Sequence, residues 1–178
     1  LVTDGAGAFV MIRSDGAADI PNKPVHVLGS GTAVWNRQIS CMDDLTVTAA
    51  KESGARAFEM AGFTPADMDA VGLYDAFTIN TILFLEDLGF CKKGEGGRFV
   101  RDGGIAPGGR LAVNTNGGGL SCVHPGMYGV FLVIEAVRQL RGQAGARQVP
   151  NAHLALAHGN GGTLSSQSTV ILGTSDTV

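Results

Sequence analysis

An α/β fold is predicted for this 178-residue chain, and three observations predict it. Apolar runs of strand length alternate with runs of helical length and pattern, strand then helix, before two final strand-like runs. Glycine is abundant, at 27 residues, while aromatic residues make up only 6% of the chain, so close backbone packing carries more of the core than large side chains do. Gly62 and Gly89 stand just past two of the helical runs, where helices commonly end. This order implies parallel strand pairs with a last, antiparallel edge.

Taken in order, residues 7–13 read as a strand that is entered almost at once from Leu1. With no initiator methionine before it, the chain is expected to be a fragment, a processed product or one subunit of a split protein. Residues 14–24 have the Gly, Pro, Asn and Asp content of a linker. Residues 25–35 alternate loosely, as a long strand would. Thr46 is placed to cap a helix over 47–61, and Thr64-Pro65 with Asp67 starts a very short one. Residues 69–74 form a strand ending in Tyr74. Asp75 or Thr78 then caps a largely buried helix carrying Leu83, Phe84, Leu85 and Leu88. Residues 90–109 read as a long loop rich in glycine and charge, longer than compact domains usually leave idle. A short strand at 111–113, a glycine-packed turn and a helix to about Arg141 follow. The strands 152–158 and 168–172 are joined through Gly159-Asn-Gly-Gly162.

Composition bounds the function. The length suits one domain or slightly more. A net charge of −3 gives no indication of a nucleic-acid partner. No apolar run reaches the roughly 18 residues of a membrane span, and no signal-like segment is present. Cys41, Cys91 and Cys122 are irregularly spaced, as reduced thiols of a cytoplasmic protein are. No spacing resembles a metal-ligand set, and the glycines do not form G-x-G-x-x-G in the required setting.

The stretch Asn114-Thr-Asn-Gly-Gly-Gly-Leu-Ser-Cys-Val-His-Pro-Gly-Met-Tyr-Gly129 lies between a strand and a helix and delivers a thiol, an imidazole and a phenol to the sheet edge where α/β folds bind ligands. Tyr74 and Tyr128, the two tyrosines of the chain, both fall near that edge. A phenol there can donate a proton or hold an oxyanion, and equally it can be an amphipathic residue with one wet end. Pro125 restricts His124 to extended backbone, aiming its ring outward from the turn; a catalytic imidazole and an ordinary hydrogen-bonded turn histidine both fit. Cys122 near His124 invites a Cys/His nucleophile, though the spacing does not by itself bring them within bonding distance. His158 opens a glycine turn that suits an oxyanion site or a tight hairpin.

These residues resemble the thiolase family. Asn114 to Gly129 is similar to the signature in which Asn-x-x-Gly-Gly leads to Gly-His-Pro, and Tyr74-Asp-Ala-Phe77 is similar to the tetrad Asn-Glu-Ala-Phe, or His-Asp-Cys-Phe in the sterol-carrier-protein type. Phe84-Leu-Glu-Asp-Leu-Gly89, Gly94-Glu-Gly-Gly97 and Val137-Arg-Gln-Leu-Arg-Gly142 resemble that second type as well. The resemblance implies a thiolase-like half: a mixed five-stranded sheet covered by helices. It implies that residues 1–24 are the last strand of a preceding half plus a linker, with residues 25–178 as the carboxyl-terminal domain. It also implies that the nucleophilic cysteine lies upstream of Leu1, that His124 activates it, and that backbone around Gly161 and Gly162, with Asn116, forms the substrate and oxyanion side.

Three departures stand against a plain thiolase. Tyr74 replaces the Asn or His of the tetrad. Val123 replaces the glycine before His124, and a turn one residue shorter brings Tyr128 to where small residues usually stand. His158 stands near where many thiolases carry their second cysteine.

Three functions are compatible with this. One is an acetyl-CoA acetyltransferase-type acyltransferase, with a coenzyme A thioester as substrate and no covalently bound cofactor. In it His124 is the base, and Tyr74 and His158 shape oxyanion sites. Another is a thiolase-like retro-aldolase that shortens steroid side chains through a tyrosine pair, with an OB-fold/zinc-ribbon partner. The third is a lipid or acyl-CoA binding module without catalysis. The resemblance implies a homodimer, and a chain without the other half of its site is expected to be inert.

Overall fold

The computed structural model describes residues 3–178 except 123, 125 and 127, and not the side chain of Ala18. The five strands are β1 (His26–Val34), β2 (Ala70–Leu73), β3 (Ala112–Val113), β4 (Leu154–Gly161) and β5 (Ser166–Gly173), arranged β1-β5-β4-β2-β3. β2 pairs in parallel with β3 and with β4, whereas β5 is antiparallel to both β4 and β1. The sheet is mixed, as expected. Its last strand is antiparallel but lies inside the sheet, and β1 forms the edge.

The helices are α1 (Ala50–Ala61), α2 (Thr78–Asp87), α3 (Gly96–Val100), α4 (Gly118–Cys122) and α5 (Gly129–Arg141). Strand alternation divides the core between the two faces of the sheet. Val71 and Leu73 of β2 join Leu156 and Ile171 beneath Ala57 and Phe58 of α1 and Phe84 and Leu85 of α2. On the other face Ala70, Ala155 and Leu172 pack with Ala136 and Leu140 of α5, and Ala157 with Leu132 and Tyr128. Tyr74, next in the alternation after Gly72, belongs to this α5 face.

Several expected boundaries move for identifiable reasons. The strand expected over 7–13 does not form: no described strand runs beside it to take its backbone groups, and the segment meets side chains instead. A Cβ on Gly7 would stand 2.8 Å from Ile134 Cδ1 of α5. α1 begins three residues later than its sequence suggests, because Thr48 is held in a non-helical bond set. Its N–H and Oγ1 both donate to the buried Asp87 Oδ2, at 2.7 and 2.8 Å, and Lys93 Nζ donates to Asp87 Oδ1 at 2.6 Å. The loop 90–109 contains α3 and a 3-10 turn at Arg101–Gly103. Gly159, Asn160 and Gly161 are not the hairpin turn but the end of β4, paired with Ser168, Gln167 and Ser166.

α1 lies directly on the backbone of β1. A Cβ on Gly29 would overlap the carbonyl oxygen of Ala57, and one on Gly31 that of Ser53. Backbone atoms cannot swing aside as a side-chain end can, so Gly31→Ala is expected to destabilise by about 1–3 kcal/mol, the usual cost of overpacking. A urea titration checks this; an unchanged midpoint at equal slope would show that α1 lifts off the strand freely.

Candidate active site

Two carbonyl-end segments of the sheet meet at the site. β2 runs out at Leu73 into Tyr74 and Asp75, and β3 runs out at Val113 into the glycine-rich stretch. Asn114 takes a left-handed backbone, φ 50°, and extends the β2–β3 pairing beyond the last strand residue. Its N–H donates to Val71 O at 2.8 Å and its Oδ1 accepts from the N–H of Leu73 at 2.7 Å. The loop is also tied to α5. Thr115 Oγ1 donates to Glu135 Oε1 at 2.8 Å, and Arg147 donates to both carboxylate oxygens of Glu135 at 2.9 Å. Burial opposes ionisation of Glu135, but the bonds from Arg147, Thr115 and Gln139 outweigh it and hold the carboxyl below the ordinary glutamate range.

The cap expected of Asp75 or Thr78 is made by neither: α2 starts at Thr78, after Phe77, without a side-chain cap, and the Asp75 carboxylate, 3% exposed, turns instead to α4. It accepts the N–H of Gly119 at 2.6 Å and that of Leu120 at 3.3 Å. Glycine is required there. A Cβ on Gly118 would overlap Asp75 Oδ2, and one on Gly119 would stand 3.1 Å from Asp75 Oδ1 and 2.9 Å from His124 Cε1.

The chain emerging from α4 brings three rings together. Tyr74 stacks on His124, with centroids 5.8 Å apart and planes at 21°, and meets Tyr128 edge-on at 5.5 Å. His124 meets Tyr128 edge-on at 6.4 Å. Tyr128 is 1% exposed, and its hydroxyl donates to Asn116 Oδ1 at 3.4 Å, an oxygen that also accepts the N–H of Gly118 at 3.0 Å. Burial pushes the Tyr128 phenol above the ordinary tyrosine range, against the bond to Asn116 and with the negative charge of Asp75 adding to it. Burial, then Asp75, raises the Tyr74 phenol as well. His124 Nδ1 is buried with no hydrogen-bond partner among the described residues. Val123 and Pro125, on which the expected extended His-Pro turn rests, lie outside the described residues.

Of the residues singled out from the sequence, Tyr74, Asn116, His124 and Tyr128 form this cluster. Gly161 closes β4 against Ser166, and Gly162 opens the hairpin turn with φ 59°. Gly159, just before them, faces the start of α5: its Cβ would stand 3.9 Å from the Cα of Gly129. Cys122 is exposed, its Sγ 3.4 Å from the carbonyl of Asn116.

His158 is not brought to the cluster. Its backbone oxygen accepts from Tyr74 N at 3.0 Å, but its ring lies on the opposite face of the sheet, against Phe84 at 4.6 Å. It is fully buried, with Nδ1 2.8 Å from Thr169 Oγ1 and Nε2 2.9 Å from Gln167 Oε1. Asp75 and Asn114 were missed as site residues, since the partners of both are more than 40 residues away in the chain. Among the described residues no group of His, Cys, Asp and Glu could hold a metal ion, and no helix is long and apolar enough to cross a membrane.

A model of the family described as "Thiolase C-terminal domain-like" matches residues 31–174, which include the whole cluster. The chain belongs to that family. Members with curated names are similar along most of it. An acetyl-CoA acetyltransferase of Methanothermobacter thermautotrophicus is 42% identical over 91% of this chain and 43% of its own length. A 17-hydroxy-3-oxo-4-pregnene-20-carboxyl-CoA lyase of Mycobacterium tuberculosis is 35% identical over 79% of this chain and 37% of its own. A solved structure described as "Ltp2-ChsH2(DUF35) aldolase" superposes with a TM-score of 0.81 at 31% identity, over 90% of this chain and 42% of that one. The chain thus spans less than half the length of these relatives.

Burial pulls the pKa of His158 from 6.5 down to about 4, against the bond to Gln167. Between those values the unfolded chain binds a proton that the native protein does not, so stability rises with pH through that window. The stabilisation is fully present above 6.5 and is lost as pH falls toward 4, by up to about 3 kcal/mol. Denaturation midpoints measured across the window should fall steeply for the parent protein and much less for His158→Gln; parallel slopes would contradict this account.

Proposed function

We propose that this chain forms one wall of the site of a carbon–carbon lyase that cleaves a β-hydroxyacyl thioester of coenzyme A by a retro-aldol reaction. The pairing of two neutral phenols, the half-buried Tyr74 and the buried Tyr128, in one cluster with His124 carries the reading. In such a cleavage a base takes the proton of the β-hydroxyl, the Cα–Cβ bond breaks to give a carbonyl product, and the electron pair passes into the thioester enolate. An acid then returns a proton to Cα. Phenols held neutral are suited to relaying the first proton toward His124 and to supplying the second. No nucleophilic cysteine is needed. The aldolase and lyase among the similar proteins support the reading.

Acyl transfer at a coenzyme A thioester is the second reading. It is favoured by His124, which stands in the same cluster with its buried Nδ1 unpartnered among the described residues, and by the acetyltransferase relative. In that case His124 activates a cysteine supplied by a preceding thiolase-like half, to which residues 1–24 also belong. For either chemistry we read Asn116, Gly161 and Gly162 as the substrate side and His158 as a support beneath it. The setting is read as a cytoplasmic homodimer with free cysteines, joined for the lyase by an OB-fold/zinc-ribbon partner of the DUF35 kind that appears with the solved aldolase.

In the full-length protein with its partner, Tyr74→Phe and Tyr128→Phe are each expected to lower the turnover of a β-hydroxyacyl-CoA by about 10²-fold or more. Retention of near-parental turnover by both would sink the lyase reading. Thiolysis that disappears in His124→Ala while both phenylalanine variants keep it would establish the second one.

A further inference from the structure

The turn that delivers His124 and Tyr128 consists largely of glycine, and glycine does not hold a shape on its own. Something outside the turn must fix it. Among the described contacts, the side chain that reaches into it from β2's end is Asp75, buried at 3% exposure and bonded to the N–H of Gly119 and of Leu120. Gly119 leaves room for two groups. The point where its Cβ would stand is 3.1 Å from Asp75 Oδ1, and 2.9 and 3.2 Å from His124 Cε1 and Nδ1. Gly118 is tighter still, since a Cβ there would overlap Asp75 Oδ2. The carboxylate and the imidazole thus both crowd the space that a Gly119 side chain would fill, beside the peptide that the carboxylate holds.

Building on the catalytic roles proposed above for His124, Tyr74 and Tyr128, we infer that Asp75 is the positioning residue of this site. Its carboxylate clamps the Gly118–Gly119 turn against the end of β2 and so sets His124 and Tyr128 against Tyr74. The same carboxylate supplies a fixed negative charge to the cluster. The titratable groups that face it are Tyr74, its neighbour in the chain, His124 across Gly119, and Tyr128 at the start of α5; Cys122 of α4 and Glu135 of α5 act on Tyr128 as well. Burial first, and Asp75 after it, raises both phenols, so the carboxylate adds to what disfavours their phenolates while it holds the turn in place.

Two variants of the full-length protein separate this from a plain structural role. Asp75→Asn keeps the shape and one acceptor oxygen but removes the charge. Gly119→Ala keeps the charge but forces the clamp apart. Both should lower kcat by about 10²-fold with little change in KM, the effect of misplacing reacting groups by about an ångström. Only Asp75→Asn should also move the phenol titrations to lower pH. These are followed by ultraviolet absorbance without substrate, as the difference from the same variant carrying Tyr74→Phe or Tyr128→Phe. Thermal melting of each variant confirms that it is folded.

An Asp75→Asn protein with parental kcat and parental phenol titrations would overturn the inference. So would a loss of kcat with the phenols unmoved, which is what mere structural support gives. Because the titration needs no substrate, a shifted titration in a protein whose tyrosine-to-phenylalanine variants stay active would leave the inference standing while the lyase reading fell.

Discussion

The contact between the Asp75 carboxylate and the amides of Gly119 and Leu120 joins two parts of the chain that local forces would never bring together. Hydrogen bonds to a charged group are worth about 1.5–3 kcal/mol each, and here they span 44 and 45 residues of sequence. They are possible because neither Gly118 nor Gly119 has a side chain to stand in the way. Asn114 makes the complementary tie, closing its side chain onto the backbone of β2 at Leu73. Between these two anchors the glycine-rich stretch has little freedom left, and the rings that follow it arrive at the end of β2.

Strand alternation then decides which residues can share a site. Tyr74 and His158 are joined backbone to backbone, N–H to carbonyl, yet their side chains go to opposite faces of the sheet. On the α5 face β2 and β4 carry Ala70, Gly72, Ala155 and Ala157, all small, which lets Leu132 come within 3.4 Å of where a Gly72 Cβ would stand and leaves room for aromatic rings at the strand ends. On the α1–α2 face the strands carry Val71, Leu73, Leu156 and Ile171, and His158 is sealed among them with both ring nitrogens bonded. Near neutral pH that histidine stays uncharged and functions as a polar rivet between β4 and β5.

Much of this was legible in the sequence. Alternating strand and helix runs gave the mixed sheet, the glycines at 62, 89 and 142 ended helices at left-handed positions, and the two tyrosines were both placed at the same sheet edge. What was not legible shares one physical cause. Asp75 has every local mark of an N-cap, but its partners are fixed by tertiary packing, as are those of Thr48, whose bonds to Asp87 delay α1. Gly159-Asn-Gly161 has the composition of a turn, but pairing with β5 outweighs that local preference and keeps it in the strand. The side of the sheet on which His158 falls depends on strand register, which glycine flanks do not reveal.

The electrostatics of the cluster narrows the chemistry it suits. Burial and the charge of Asp75 both disfavour a phenolate at Tyr74 and at Tyr128. Neither is positioned to act as a standing base. Among the described residues the cation–π contact found is Arg110 over Phe99, away from these rings, and Arg147 is committed to Glu135. On the proposed lyase reading, negative charge that develops on the substrate is met by neutral hydrogen-bond donors beside a fixed carboxylate, which holds it far less well than a cation would. Such a wall favours a reaction in which the charge is quenched by proton delivery as it forms. A carbanion protonated by an adjacent phenol meets that condition, whereas a long-lived oxyanion requires donors from elsewhere. On the proposed lyase reading the phenols, held neutral by burial first and by Asp75 after it, are the proton donors of the cluster.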